Sequence, residues 1–414
     1  MLTIRPLAAS GLAHRPPPGA RSLVSPDEAP TESVILSQPR TSQEAPRQFG
    51  RWQTGLFAAL SLVGVLGLAG CGPSTPATPP AECQVLVCQN NQVVDLGYSE
   101  SGLAAALNDR GDFIAAGDRG ILINGELLRD AAGNLVDLGY SESGLGAALN
   151  EKGQFVIAGD RGILVGRLTP DGPVASYLME GSQALDLGYS ESGLGAALNE
   201  NGQFLVAGDR GIVHGQLGED GSASFRYLMQ GGERLDLGYS ESGLGAALND
   251  HGQFLVAGDR GIVHGDLNEG NPTFQYLQEG RERLDLGYSE SGLGAALNNS
   301  GQFMVAGDKG VIFGRLGQGY QFLQEGTERL DLGYSESGLG VSVNERGQFV
   351  VAGDKGVIRG QIADGQARWE YLTTPSGERL DVGYSESGMG VGLNNQGDYL
   401  VAGDKGLVRG SFPP

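Results

Sequence analysis

The repeating unit of this chain alternates short apolar runs with turn residues. One unit, residues 235–284, contains four such runs, LGAAL, FLVAG, IVHGDL and TFQYL, and no stretch with a sustained helical period. Runs of this length separated by turn residues predict four antiparallel strands. Residues 249–252 and 259–261 predict two tight turns, because each contains a glycine that is free to take positive φ.

The unit is repeated along most of the chain. The string GYSESG occurs seven times, and the aspartate before it recurs every 42 to 50 residues, at Asp95, Asp137, Asp186, Asp236, Asp285, Asp331 and Asp381. Four strands per unit and seven units predict an all-β fold, a seven-bladed β-propeller of four-stranded antiparallel blades. The run of Gly, Ala and Leu is predicted to be the innermost strand, because small side chains suit the centre of a radial array.

The two ends of the repeat region predict how the ring closes. The last unit stops after its third strand, near residue 410, and residues 84–89 (QVLVCQ) align with the fourth strand of unit three, residues 225–230. An N-terminal strand that completes the last blade would remove the open sheet edges. A β-solenoid is the alternative repeat fold, but it predicts no such permutation.

The segment before the repeats carries an export signal. Residues 1–53 form a Pro-rich N-terminal segment and signal n-region, in which Arg47 and Arg51 precede the apolar run of residues 54–71. Its apolar part is about sixteen residues long, which is short for a membrane span and typical of a signal h-region. Residues 72–82 (GPSTPATPPAE) are predicted to be a stiff Pro-rich tether, and residues 83–414 the propeller.

The residues LAGC at 68–71 resemble the lipobox of bacterial lipoproteins. The resemblance implies that Cys71 is lipidated and becomes the mature N-terminus, which would place the protein in the cell envelope, extracytoplasmic and lipid-anchored. Gly72 in place of Asp favours the outer membrane or cell surface. A chance cysteine after a signal sequence is the alternative. Residues 1–46 depart from the lipobox pattern, either as a start site assigned too far upstream or as a cytoplasmic tail.

Two further cysteines, Cys83 and Cys88, allow two interpretations. An oxidising compartment favours a disulfide between them. In one extended strand, however, they would lie about 16 Å apart on opposite faces, too far for a bridge. The closing strand and the disulfide therefore exclude each other, and we favour the strand.

The formal net charge of the chain is −21. An acidic protein is a poor candidate for binding the phosphate backbone of nucleic acid, so no nucleic-acid partner is expected. The simplest consequence of this charge is solubility.

Propeller connectivity predicts that both recurrent motifs lie on one face. That face would carry seven tyrosines, at Tyr98, Tyr140, Tyr189, Tyr239, Tyr288, Tyr334 and Tyr384, and seven glutamates, at Glu100, Glu142, Glu191, Glu241, Glu290, Glu336 and Glu386. The GD-[RK]-G turn adds seven basic residues, Arg119, Arg161, Arg210, Arg260, Lys309, Lys355 and Lys405, each preceded by an aspartate.

These rings have a structural and a functional interpretation. The aspartates cap their own turns, the glutamates pair with the basic residues, and the tyrosines wedge between blades. Alternatively, the rings surround the channel mouth and bind sugars or a loop of a partner protein. The two interpretations can both hold.

Other kinds of site find less support. His214 and His264 share one blade position, but other blades carry apolar or basic residues there, so no metal site is expected. The serines of GYSESG have no recurrent histidine partner, and no phosphate-binding glycine loop opens a helix. Paired carboxylates for glycoside hydrolysis stay possible on the shared face, although seven equal copies argue against one catalytic site. We predict no catalytic residue and no cofactor.

The unit also resembles known repeat families. Asp236-Leu237-Gly238 and the NDHGQ turn after it resemble HAF-type repeats of bacterial extracellular proteins, and AGDRGIV at 207–213 resembles hairpins of photosystem II assembly factors and sialidase Asp-boxes. The Trp that ends the Asp-box is absent, and Trp369 is the only Trp in the repeats. The resemblance implies a propeller and little about its ligand.

Together these observations predict a non-enzymatic binding or scaffold module, anchored to the envelope through lipid alone, that engages a protein or glycan through one face. A multivalent lectin and a glycan hydrolase or lyase are the alternatives.

Overall fold

The computed structural model describes residues 96–97, 102–139, 144–188, 193–238, 243–267, 272–287, 292–333, 338–374, 376–383 and 388–413, and five short strands before them. These strands are Leu2–Ile4, Leu7–Ala8, Val34–Leu36, Cys88–Gln89 and Gln92–Val93. The first pairs antiparallel with the third, and Leu7–Ala8 pairs parallel with the outer strand of the second blade. The predicted domain boundaries at 53, 71 and 82 lie outside the described residues and stay predictions.

The described repeats form seven antiparallel sheets, in which strand order follows chain order. The innermost strands are Ala104–Leu107, Gly146–Leu149, Gly195–Leu198, Gly245–Leu248, Gly294–Leu297, Gly340–Val343 and Gly390–Leu393. The second strands are Phe113–Gly117, Gln154–Gly159, Gln203–Gly208, Gln253–Gly258, Gln302–Gly307, Gln348–Gly353 and Asp398–Gly403. The third strands are Gly120–Ile123, Gly162–Thr169, Gly211–Leu217, Gly261–Asp266, Gly310–Arg315, Gly356–Ala363 and Gly406–Ser411.

Six blades have a fourth, outer strand: Glu126–Leu127, Gly172–Glu180, Ala223–Tyr227, Thr273–Tyr276, Gly319–Phe322 and Gln366–Tyr371. The all-β fold and the seven-bladed propeller of antiparallel, mostly four-stranded blades are therefore confirmed. Across the described residues there is no helix.

Small hairpins follow the outer strands. They pair Met229–Gln230 with Glu233–Arg234, Gln278–Glu279 with Glu282–Arg283, and Gln324–Glu325 with Glu328–Arg329, while Gln183–Ala184 pairs with the end of the second blade's outer strand. Cys88–Gln89 pairs with Gln92–Val93 in the same way, ahead of the first blade.

The described part of the last blade has three strands. Residues 84–87 lie outside the described residues, so the closing strand stays a prediction. The hairpin of Cys88–Gln89 with Gln92–Val93 matches the hairpin that follows the outer strand of blade three, as the alignment of residues 84–89 requires. Cys83 and the side chain of Cys88 also lie outside the description, so the choice between strand and disulfide is not tested.

The core lies between the blades. In the interface of blades three and four, Leu205 and Ile212 of one blade pack with Phe254 and Val263 of the next. Because both faces of each sheet are covered, the second strands are apolar on both sides, and Phe254 is fully buried. Removing such a ring typically costs about 3–5 kcal/mol.

A ring of glycines closes the propeller at one end of its axis. The last glycine of each GYSESG motif forms a parallel bridge with the next, and the ring returns from blade seven to blade one through Gly102, Gly144, Gly193, Gly243, Gly292, Gly338 and Gly388. A Cβ at any of them would lie 2.6–2.9 Å from the Cα of the next glycine. Only glycine permits this approach, and we call this end of the molecule the glycine end.

A ring of asparagines closes the opposite end. The Nδ2 of each asparagine donates a hydrogen bond of 2.9–3.2 Å to the backbone oxygen of its counterpart in the next blade, in a closed circuit of Asn108, Asn150, Asn199, Asn249, Asn298, Asn344 and Asn394. These side chains are only 2–4 % exposed. The backbone N–H of the following residue donates to a side-chain oxygen of the next blade, which adds a second closed circuit.

Candidate functional site

The glycine end also carries the GD-[RK]-G turns. The backbone N–H of the basic residue donates to a backbone oxygen of its own LDLG-type segment, as from Arg260 to Leu237 at 2.9 Å. The same bond recurs in all seven units, with a leucine acceptor in six and Val382 in the seventh. Each turn is thereby held against the segment that leads into the GYSESG loop. The GYSESG loops themselves lie outside the described residues, so the prediction that turns and loops share one face stays a prediction.

The basic residues of the turns form ion pairs with the marker aspartates. Six pairs are described: Arg161–Asp137, Arg210–Asp186, Arg260–Asp236, Lys309–Asp285, Lys355–Asp331 and Lys405–Asp381. The other carboxylate oxygen accepts the N–H of the glycine two residues later, as Asp236 does from Gly238 at 3.1 Å. The aspartate therefore fixes both its own loop and the basic side chain. Asp95, the counterpart for Arg119, lies outside the described residues.

The paired basic side chains are still accessible, at 29–41 % exposure. Exposed ion pairs of this kind add little stability, typically 0–1 kcal/mol. We name this set, Arg119, Arg161, Arg210, Arg260, Lys309, Lys355 and Lys405, the basic ring.

The aspartates that precede the basic residues are turned inward. Asp118, Asp160, Asp209 and Asp308 are buried, and Asp259, Asp354 and Asp404 are half-buried. The exposed part of each turn is therefore the basic side chain. The expectation that these aspartates cap their own turns is not tested by the described contacts.

The fourteen predicted tyrosines and glutamates of the GYSESG motifs all fall outside the described residues, in segments 98–101, 140–143, 189–192, 239–242, 288–291, 334–337 and 384–387. The described residues that flank each segment in the chain, the LDLG-type segment before it and the ring glycine after it, lie at the glycine end. Their roles as wedges, ion-pair partners or ligand contacts stay predictions.

Sequence reasoning missed an outer belt of stacked arginines near the same turns. The guanidinium carbon of Arg234 lies 3.7 Å from the centre of the Tyr227 ring, and Arg283 on Tyr276, Arg329 on Phe322 and Arg379 on Tyr371 repeat the stack. Arg234 and the Tyr227 hydroxyl both bond to Glu180 of the preceding hairpin. The signal was the recurrent Arg two residues before the marker aspartate.

The belt perturbs two phenols. Burial, and then the hydrogen bond to Glu180, raise the pKa of Tyr227 to about 12. Burial and the bond to Glu325 likewise raise the pKa of Tyr371 to about 12. Both hydroxyls therefore stay protonated at neutral pH and serve as donors that join neighbouring blades.

Metal and membrane features are as follows. Among the residues that the structure describes, no group of three His, Cys, Asp or Glu side chains could hold a metal ion. His214 and His264 lie on third strands away from the basic ring, and burial lowers the pKa of each. The described part of the chain contains no helix with the length and apolar character needed to cross a membrane.

Comparisons with known proteins find distant likeness only. No protein-family model and no curated protein matches the chain, so the likeness to HAF-type repeats, Asp-boxes and lipoproteins gains no support from them. Among solved structures, virginiamycin B lyase from Staphylococcus aureus is similar over 76% of this chain and 96% of its own, with 11% identity and a TM-score of 0.48.

Two further solved structures are similar at the same level. The extracellular domain of a hybrid two-component system from B. thetaiotaomicron matches over 81% of this chain and 40% of its own, with 9% identity and a TM-score of 0.49. Aleuria aurantia lectin matches over 69% of this chain and 99% of its own, with 11% identity and a TM-score of 0.42.

Proposed function

We propose that this protein is a non-enzymatic binding or scaffold module of the bacterial cell envelope that engages a protein or glycan through its glycine end. The observation that supports this most directly is the basic ring. Its six described ion pairs repeat one accessible Arg or Lys around the axis.

The chemistry of the basic ring favours recognition by short-range hydrogen bonds over attraction by net charge. Six of the seven basic side chains have a described aspartate partner at hydrogen-bond distance, and the whole chain is acidic. An ion-paired guanidinium keeps donors for a carbonyl or hydroxyl of a ligand. Seven equal positions suit a multivalent partner better than a single reaction, which needs one asymmetric centre.

Strand direction gives this proposal an orientation. Outer strands run from the asparagine end towards the glycine end, and in the sequence alignment the hairpin of Cys88–Gln89 with Gln92–Val93 corresponds to the hairpin that follows the outer strand of blade three. A lipid at Cys71 and a tether at 72–82 would then enter at the asparagine end. The basic ring would face away from the membrane, towards extracytoplasmic partners.

The anchor is tested by mass spectrometry of the native protein. We expect a diacylglyceryl-modified Cys71 as the first residue. An unmodified Cys71, or retention of residues 1–70, would refute the anchor and leave the binding face as a separate question.

The binding face is tested by pull-down from native envelopes, run beside a glycan array. A triple variant of Arg210, Arg260 and Lys309 to Ala should lose the captured partner while its Tm changes by little, because exposed ion pairs contribute little. A matched triple variant of the outer belt, with Arg234, Arg283 and Arg329 changed to Ala, should keep binding.

The outcomes separate the candidate functions. Avid sugar binding favours the multivalent lectin, turnover of a glycan favours the hydrolase or lyase, and capture of a protein favours the scaffold. Capture that survives in the basic-ring variant contradicts the proposed face.

A further inference from the structure

Two grooves of the same construction lie between blades, on the flank of the propeller. One, of about 360 Å³, separates blades four and five and is lined by His264, Thr273 and Gln275 on one side and Leu316 on the other. The second, of about 280 Å³, separates blades six and seven and is lined by Arg359, Arg368 and Glu370, with Phe412 opposite. The repeat places these residues at equivalent positions, so both grooves are one feature of the fold.

One wall of each groove is a cross-strand pair of planar polar side chains. His264 faces Gln275 in the strand register, and their Nε2 atoms lie 3.1 Å apart. Arg359 faces Glu370, and two of its nitrogens lie 2.8–2.9 Å from Glu370 Oε1. Each pair thus sets a hydrogen-bond donor beside an acceptor in a partly solvated cleft.

The position of His264 and Arg359 is polar in four blades, as His214, His264, Arg359 and Arg409, and apolar in the other three. Ile123, Val165 and Phe313 occupy the position of His264 and Arg359, and all three are buried. Polarity alone therefore does not distinguish His264 and Arg359. In the blade that follows each of them the apolar residue is the half-buried Leu316 or Phe412, whereas in the blade after His214 it is the buried Leu267.

The opposite wall of each groove is apolar and partly open. Leu316 and Phe412 are half-buried, whereas Leu217, Leu267 and Ile362 at the same position of three other blades are only 5–7 % exposed. Phe412 also lies 6.0 Å from the Arg359 guanidinium carbon. Each groove therefore combines a donor–acceptor pair with an apolar surface, as small-molecule sites do.

We propose that these two inter-blade grooves bind neutral sugar rings. The polar pair would bond two adjacent hydroxyls, and the apolar wall would receive the C–H face of the ring. Neither pair carries a net charge: Arg359 is balanced by Glu370, and burial lowers the pKa of His264 so that it is neutral at pH 7. The first groove is also lined by the acidic Asp266 and the second by the basic Arg368. These extra charges are opposite in sign, so a ligand common to both grooves is uncharged. The grooves are separate from the basic ring, so this inference does not depend on the proposed face.

The test uses the full-length protein in detergent and a panel of methyl glycosides of common hexoses, 6-deoxyhexoses and N-acetylhexosamines. Saturation-transfer NMR and titration calorimetry should detect at least one sugar, with a Kd on the order of millimolar and two sites per chain. The double variant His264→Val and Arg359→Val copies Val165 of blade two. It should weaken binding at least about tenfold, because each site loses its hydrogen-bonding pair.

Controls keep the result interpretable. The variant His251→Gln, at an exposed turn outside the grooves, and the variant Arg260→Ala in the basic ring should both bind like the wild type. If the double variant does not fold, Gln275→Leu with Glu370→Leu removes the same donor–acceptor pairs from the other strand. Absence of binding for the whole panel, or equal binding by wild type and a folded groove variant, would overturn the proposal.

Discussion

Replacing Asn249 by alanine tests the asparagine ring directly. Its Nδ2 donates to the backbone oxygen of Asn298 at 3.2 Å and to Gln253 Oε1 at 3.0 Å, and its Oδ1 accepts from the backbone N–H groups of His251 and Gln253. The alanine removes all of these bonds inside a turn where the asparagine is only 3 % exposed.

The expected magnitude follows from that inventory. At about 1 kcal/mol net for each hydrogen bond, the variant should lose about 4 kcal/mol of unfolding free energy. For a domain of roughly 320 residues this corresponds to a fall of about 6 °C in Tm. The assay is calorimetric melting, supported by urea unfolding at constant m-value.

A matched control lies in the neighbouring unit. Asn201 Nδ2 makes one exposed bond, to the backbone oxygen of Asp250 at 2.8 Å, so Asn201→Ala should stay within about 0.5 kcal/mol of the wild type. If Asn249→Ala costs no more than this control, the ring does not stabilise the fold and the reasoning is wrong.

The variant Asn249→Asp adds a test of sign. In this variant a carboxylate oxygen replaces the Nδ2 group and faces two acceptors, the backbone oxygen of Asn298 and Gln253 Oε1. Repulsion between these oxygens disfavours the charged form, so the pKa of the new aspartate should be higher in the folded than in the unfolded state. A raised pKa means that the loss of stability grows as the pH rises and is relieved at acidic pH, where the protonated acid can donate. An equal deficit, relative to wild type, at pH 4 and pH 7 would contradict this account.

Three further outcomes are expected. Gly243→Ala should cost more than about 3 kcal/mol or prevent folding, because its Cβ would lie 2.8 Å from the Cα of the next ring glycine; Gly231→Asn, at positive φ in open space, is the melting control. The free energy of unfolding should fall between pH 10 and pH 12, because the pKa values of Tyr227 and Tyr371 are raised from 10 to about 12 in the folded state. The double variant Tyr227→Phe and Tyr371→Phe should show a smaller fall over the same pH range. Deletion of residues 83–92 should lower the Tm sharply if they complete the last blade, and unchanged melting would disprove that closure.

The strands and their number could be predicted from the sequence because each depends on local pattern. Alternation of apolar residues and the recurrent turn glycines mark the strands, and the seven copies of GYSESG count the blades. The glycine ring and the asparagine ring depend on contacts between units 42 to 50 residues apart. A local pattern of residues does not predict how neighbouring blades are aligned with each other. Asn249 was therefore interpreted only as a turn residue, although the same asparagine stands in every unit.

The ion pairs of the basic ring carried a signal that was overlooked. The marker aspartate and the basic residue are 24 positions apart in each described pair, from Asp137 and Arg161 to Asp381 and Lys405. The length of the whole unit varies between 42 and 50 residues, but this 24-residue spacing does not. A spacing kept constant while the rest of the unit varies is consistent with a direct contact between the two residues. The basic residue was expected to pair with the GYSESG glutamate, because the aspartate was interpreted only as a marker of the repeat.

If a partner binds the proposed face, the basic ring determines how many orientations about the axis are open to it. Seven equal positions offer seven equivalent rotations, a multiplicity that favours binding by about 1.2 kcal/mol without any new contact. Arg119, Arg161, Arg210 and Arg260 are followed by Lys309, Lys355 and Lys405, and a guanidinium fork and an ammonium do not present the same donors. A partner that requires the fork has at most four rotations, so the division of the ring into arginine and lysine arcs limits its rotational freedom.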